Sequence, residues 1–245
     1  MAASLTYRER VFRGALGFFL AFVAYNVDPF GHGSAEPTGL AWGAAILAAI
    51  AITTAVAGRN GPLGARVGLD ADWSLGYLAA RLFVGWEFLY AGYEKATGGW
   101  FTHAAGAAEV KGILQGAIAQ SHATAQNPYP PVSHWFGWTA DNVFLSHAHL
   151  ISYLVVTAEM AVGIGLILGL FLRLSAFFGV TLNALFMSAG ALGAGLNPEM
   201  IIPGVLVMVG VSTAVYAASA DRYLLPALRG QIPRLPAIGR HATVH

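Results

Sequence analysis

Four ionisable side chains, Arg81, Glu87, Glu94 and Lys95, fall inside the stretch RLFVGWEFLYAGYEKATGGW at residues 81–100, which is otherwise almost wholly apolar or small. Charges within an apolar helix are costly in lipid, and they mark places where protons move, charges pair or ligands are held. At 3.6 residues per turn, Arg81, Gly85, Phe88, Gly92 and Lys95 share one stripe, and Glu87, Tyr90, Ala91 and Glu94 share another. Glu159 and Asn183 lie within later apolar runs. With helix ends near Trp73 and Leu170, Arg81 stands about 12 Å and Glu159 about 16 Å above the same membrane boundary, so the two are expected to meet. Such a pair satisfies two buried charges. It either ties two helices together or lines a pocket, Arg81 donating hydrogen bonds to a carbonyl or an anion and Glu159 exchanging a proton. Glu94 and Lys95 are expected as a solvated interfacial pair, with Lys95 reaching outward. Glu87 is deeper, suited to proton transfer if protonated at rest, or paired with a group such as Asn183 or water.

The elements that position these residues follow from composition. The chain has 245 residues, 56% of them hydrophobic and 10% charged, where a soluble domain carries roughly 25% charged residues. This is the composition of an integral membrane protein. With no cysteine, disulfides, thiolate metal sites, iron–sulfur ligation and dithiol chemistry are excluded. Electron chemistry therefore requires a bound cofactor or a partner. A net charge of +1 gives no electrostatic footprint for nucleic acid. Six apolar runs, near residues 11–27, 40–57, 75–93, 149–170, 176–192 and 200–218, are long enough to read as spans. The first follows Arg8, Glu9, Arg10 and Arg13 and lacks a small-residue cleavage site, so an uncleaved helix is expected. Gly58, Gly61 and Pro62 stop the second, Arg59 and Arg66 mark a basic loop, and Asn197-Pro198-Glu199 reads as the start of the sixth. A tail with Arg229, Arg234 and Arg240 reads as irregular.

Cation placement orients these spans. With both termini in the cytoplasm, Arg8, Arg10, Arg13, Arg59, Arg66, Arg173, Arg222, Arg229, Arg234 and Arg240 are cytoplasmic, Arg81 is in the membrane, and only Lys95 and Lys111 lie outside. Some fifty residues separate the third and fourth runs, roughly 96–146, long enough to be functional. There Val110, Ile113, Leu114, Ala117 and Ile118 keep helical spacing beside Glu109, Lys111 and Gln115. They form an amphipathic helix that lies on the bilayer or caps the bundle. Trp135, Phe136 and Trp138 suit the headgroup level, or a wall facing substrate. His147 and His149 are two residues apart, which is not the spacing of ligands on one helical face, so no metal or haem site is expected. Gly165, Gly169 and Ala161 make a small-residue stripe for close helix packing.

Arg81-x3-Gly85-x2-Phe88-x3-Gly92-x2-Lys95, followed by Glu159-x3-Gly163-x-Gly165-x3-Gly169-x3-Arg173, resembles the DoxX family of membrane proteins. Asn183-x3-Met187, Asn197-Pro198 and the closing Asp221-Arg222-Tyr223-Leu224-Leu225-Pro226 are similar to its DoxD-like members, which are associated with thiosulfate:quinone oxidoreductase. The apolar runs make this an all-α, six-span protein, and the resemblance, which covers roughly Ser74 to Pro226, implies a four-span family core in spans three to six and a place in the bacterial inner membrane. Residues 1–72 are two additional helices, 73–226 the four-helix DoxX-like bundle with the outer cap at 96–146, and 227–245 a cytoplasmic tail. The implied function is a subunit of a quinone-linked oxidoreductase, working with other subunits. In it Arg81, Glu159 and Glu87 are catalytic, Arg81, Glu159 and Asn183 hold the quinone, and Lys95 and Glu94 meet the substrate. Few permanent cations lie outside to attract thiosulfate. A non-catalytic anchor subunit and a small-molecule transporter are the competing classes.

Overall fold

A computed structural model describes residues 4–26, 38–122, 124, 128, 130–190, 201–210 and 213–228. Helices dominate, and among the described residues the one β-type contact is an isolated bridge between Ser4 and Arg59. The helices are α1 (Tyr7–Asn26), α2 (Thr38–Ala57), α3 (Gly61–Arg66), α4 (Ser74–Thr97), α5 (His103–Gln120), α6 (His134–Thr139), α7 (Ala148–Leu168), α8 (Leu172–Ser188), α9 (Ile201–Val209) and α10 (Asp221–Leu228). A π-helical turn at Ala140–Phe144 and a 3-10 turn at Leu145–His147 lead from α6 into α7.

Polarity is turned inside out. Arg13, Arg81, Glu159, Asn183 and Ser152 are almost wholly enclosed, whereas Phe18, Phe22, Leu154, Phe177 and Phe178 are about half exposed or more. Exposed aromatic and aliphatic surface on that scale needs an apolar surrounding. The stretches Gly39–Ala57 and His134–Leu168 are each long and apolar enough to cross a bilayer. The protein is thus a membrane protein, its charges held between helices and its apolar side chains turned to lipid.

Helix α4 is the centre. Its Gly-bearing stripe packs on α7, and small residues set how near the two backbones come. A Cβ added at Gly163 would stand 2.5 Å from the backbone nitrogen of Leu89, so only glycine permits this approach. A Cβ at Gly92 would meet Met160 N at 3.0 Å and Glu159 Cβ at 3.2 Å, which fixes the register of the pair. Two glycines of the stripe expected for close packing make their approach away from α4: a Cβ at Gly165 would run into Ser175 Oγ, and one at Gly169 into the Ser219 side chain. The core here is Val84, Phe88, Val162, Leu166, Leu172, Ala176, Val207 and Val215.

Of the two placements expected for the amphipathic segment, the packing fits the cap: Val110, Leu114 and Ala117 of α5 are buried with Val132, Phe136, Ala140, Ala148 and Ala189 at one end of the bundle. Two expectations need correction. The sixth run is not one helix. It is α9 followed by a 3-10 turn at Thr213–Tyr216, and Arg173 donates a 2.8 Å hydrogen bond to the Gly210 carbonyl at the break. The first helix begins at Tyr7 rather than near Val11, so Arg8, Glu9, Arg10 and Arg13 are helical. The expected loop after α1 and the helix start at Asn197-Pro198-Glu199 lie outside the described residues, as does the tail beyond Leu228.

Candidate functional site

Buried charge gathers at the two ends of α4. Near its start, Arg81 is 1% exposed and turned to backbone carbonyls rather than to Glu159. Its Nη1 donates to the Ala217 carbonyl at 2.9 Å and its Nη2 to the Ala218 carbonyl at 2.8 Å. Ala218, with a φ of 48°, sits in the turn that exposes these carbonyls, and its own N–H binds Val67 O at 2.7 Å. Three residues on, the Asp221 carboxylate accepts from the backbone N–H groups of Phe171 (2.8 Å) and Leu172 (2.7 Å). An anion there satisfies orphan donors at the start of α8 and opposes its positive dipole end. Ser219 Oγ donates to Gly169 O at 2.6 Å, closing the knot on the α7–α8 turn.

The expected Arg81–Glu159 pair is not formed. Glu159 lies beside Gly92, eleven residues above Arg81, which is about 16 Å along the helix. The acid instead meets Lys95, whose Nζ lies 2.9 Å from Glu159 Oε1. Lys95 thus turns inward rather than pairing with Glu94 at the surface, and Glu94 is left exposed. The ammonium lies 5.6 Å from the centroid of the Trp100 ring and 6.0 Å from that of Phe186, both within cation–π range. The Lys95 side chain is 17% exposed and that of Glu159 fully enclosed. Among the described residues Glu159 Oε2 has no hydrogen-bond partner. An ammonium offers three donors, and one of them is used here.

The other expected residues are placed around this pair without joining it. Asn183 is buried on α8, one turn before Phe186. Glu87 is half-buried on α4, on the stripe it shares with Tyr90, Ala91 and Glu94. The pair is roofed where α4 turns into α5. Ser152 Oγ donates to the Trp100 carbonyl, and Tyr153 Oη donates to Phe101 O at 2.5 Å, which holds the Trp100 ring over Lys95.

Sequence reasoning missed a further centre in the N-terminal hairpin. Arg13, fully enclosed, binds Glu9 Oε1 at 2.8 Å, Thr54 Oγ1 at 3.2 Å, Leu69 O at 2.7 Å and Asn60 Oδ1. The second Glu9 oxygen accepts from Trp73 N at 3.2 Å. The available signal was the spacing of four between Glu9 and Arg13 on a helix. All of these partners are satisfied, and the centre ties α1, α2 and the start of α4 together.

Among the described residues no cluster of three or more histidine, aspartate or glutamate side chains is arranged to hold a metal. Comparison with curated proteins and with solved structures returned no match. The DoxX family model matches residues 76–190. Those residues run from the first turn of α4 through the cap and α7 to the end of α8, so they contain Arg81, the Lys95–Glu159 pair and Asn183 and leave out the α1–α2 hairpin. Residues 76–190 are accordingly a DoxX family domain.

Proposed function

We propose that this protein is an integral membrane subunit of a quinone-linked oxidoreductase, of the thiosulfate:quinone type or a related respiratory complex, and that the Lys95–Glu159 pair is its quinone-head site. The observation that carries this reading is the enclosed Glu159 carboxylate, with one oxygen on Lys95 and the other without a partner among the described residues. Such an arrangement leaves capacity for one more hydrogen bond in a low-dielectric place, where it is strong. Trp100 and Phe186 supply flat apolar walls beside a cation that still has donors to offer. These residues fit a ring with carbonyl oxygens, and a bound quinone would supply acceptance of two electrons and two protons. Lys95 orients an acceptor oxygen, Glu159 takes up and returns a proton at Oε2, and the α5–α6 cap excludes water. Glu87 and Glu94 carry protons along the other face of α4, and Asn183 steadies the α8 wall. Arg81 is outside this site, since its Nη groups are spent on backbone carbonyls.

In this reading α1, α2, α4, α7, α8 and the broken α9 segment are six spans of a bacterial inner membrane, with both termini cytoplasmic and the cap outside. Quinone content and donor-linked quinone reduction, measured on the full chain in native membranes, test it. Lys95→Met and Glu159→Gln should each lower turnover at least tenfold with the protein still folded. Unchanged turnover in both variants would sink the assignment. A second reading, a non-catalytic anchor, draws on the other charge centres: Arg13, Arg81 and Asp221 serve only to join segments of the chain. Normal complex assembly with normal turnover in both variants would move the assignment there.

A further inference from the structure

Lys95 and Glu159 meet through one carboxylate oxygen only. The Lys95 Nζ lies 2.9 Å from Oε1, while Oε2 is buried and has no hydrogen-bond partner among the described residues. The proton shared in this contact sits between Nζ and Oε1. Whether it rests on the nitrogen or on the acid, Oε2 carries none, so it is an acceptor in both arrangements. A buried acceptor without a donor is costly, and a charged one more so. Lys95 has the opposite need, since its nitrogen gives one hydrogen bond to Oε1 and has donors left over.

A ligand oxygen that answers both needs must accept from Nζ and donate to Oε2. A hydroxyl does so with a single atom, because Oε2 belongs to the carboxylate that Nζ already touches. A carbonyl oxygen accepts from Nζ but has no proton to give, and its lone pairs would face those of Oε2. The centroids of Trp100 and Phe186 lie 5.6 Å and 6.0 Å from Nζ, so two flat apolar rings stand beside the same point and suit a hydroxyl carried on a ring. Glu159 is enclosed, whereas the Lys95 side chain is 17% exposed. The way in is therefore past Trp100, at the roof that hangs on the Ser152 and Tyr153 hydroxyls.

We propose that the Lys95–Glu159 pair is shaped for an aromatic hydroxyl, so that of the two forms of a quinone couple it holds the hydroquinone more tightly than the quinone. This preference rests on the quinone-head reading above and adds which redox form the pair favours. Sites that bond a hydroxyl discriminate strongly against analogues without one, because their own buried group is then left unpaired. A difference of at least about tenfold in affinity is expected. For a two-electron couple each tenfold raises the midpoint potential of the bound form by about 30 mV. A quinone held here is thus easier to reduce than the same quinone free in the membrane.

Glu159→Gln tests this with a change of sign. Lys95 offers only donors, so the amide oxygen keeps its place on Nζ and an NH2 group replaces Oε2. An acceptor becomes a donor, and the preference should reverse toward the quinone. The full chain in lipid nanodiscs, without oxygen, is titrated with decylubiquinol, decylubiquinone and the dimethyl ether of decylubiquinol, which keeps the ring and lacks both hydroxyls. Empty nanodiscs give the background, and unfolding temperatures show that the variant is folded. Decylubiquinol should bind at least about tenfold more tightly than the other two, and decylubiquinone more tightly than decylubiquinol in Glu159→Gln. Equal affinities in the unaltered chain, the result if water alone serves Oε2, overturn the preference and leave the quinone-head reading standing. An unchanged preference for decylubiquinol in folded Glu159→Gln does the same. Binding of none of the three above background overturns both.

Discussion

The two ends of α4 carry the same kind of residue and use it in opposite ways. At the Arg81 end, both Nη groups and both Asp221 oxygens are taken up by backbone groups, so buried charge acts as a fastener. At the Lys95 end, one ammonium and one carboxylate meet between aromatic rings, and an oxygen and two donors are left over. Burial of charge alone therefore says little about chemistry in a membrane domain. What separates fastener from site is what the charge meets: Arg81, though its Nε has no partner among the described residues, spends both Nη groups on backbone carbonyls, whereas Lys95 and Glu159 meet each other between aromatic rings and leave a carboxylate oxygen over.

Arg81→Met breaks the fastener and should have the largest effect. Two backbone carbonyls lose their donors, and Asp221 loses a neighbouring positive charge. Removing one partner from a buried charged arrangement costs about 3–5 kcal/mol. Thermal unfolding in mild detergent should show that loss, and a stability within error of the unaltered chain would remove Arg81 from this role. Next, Lys95→Met strands Glu159 and should cost about 2–3 kcal/mol, less because the ammonium is partly exposed. Adding Glu159→Gln should restore most of the stability and none of the turnover. If turnover returns as well, the pair is a fastener too and the contrast between the two ends fails.

Asp221→Ala removes the cap from α8 and should cost about 2 kcal/mol, at the upper end for helix N-caps. Hydrogen exchange at Phe171 and Leu172 should quicken, and unchanged protection there would contradict the capping role. The smallest effect belongs to Tyr153→Phe, which deletes one hydrogen bond to the Phe101 carbonyl, worth about 0.5–1.5 kcal/mol. It should loosen the roof over Lys95 and raise the apparent KM for quinone more than it lowers kcat. A pure kcat loss would contradict a positioning role for the roof.

Much of this architecture was legible before any coordinates. The segment from Arg81 to Lys95 is the centre of the domain, and Gly85 and Gly92 of its stripe meet α7 as helical spacing requires, while Arg81 at the stripe's end turns to Ala217 and Ala218. The pairing was not legible, because it depends on how far α4 slides along α7. That register is set by single contacts, Gly92 against Met160 and Gly163 against Leu89, which a depth reckoned from helix ends cannot see. Similarly, Asp221 and Arg222 read as the close of a span, whereas Asp221 caps a helix 49 residues earlier. No local pattern encodes such a distant cap. The Trp100 and Phe186 walls were missed for the same reason, since each lies on a different element from Lys95 or far along the chain from it.

The contact between Arg81 and Ala217 spans 136 positions of sequence, and it sets an order for building the protein. At about 5–20 residues per second, synthesis leaves Arg81 waiting roughly 7–27 s for its carbonyls. During that interval α4 carries an unpaired guanidinium, which in lipid must reach the headgroups or water. The helix therefore cannot settle at its final depth until the segment around Ala217 has emerged. A segment made after the domain is the part that permits α4 to seat, so insertion of this protein is finished from the C-terminal side of the domain.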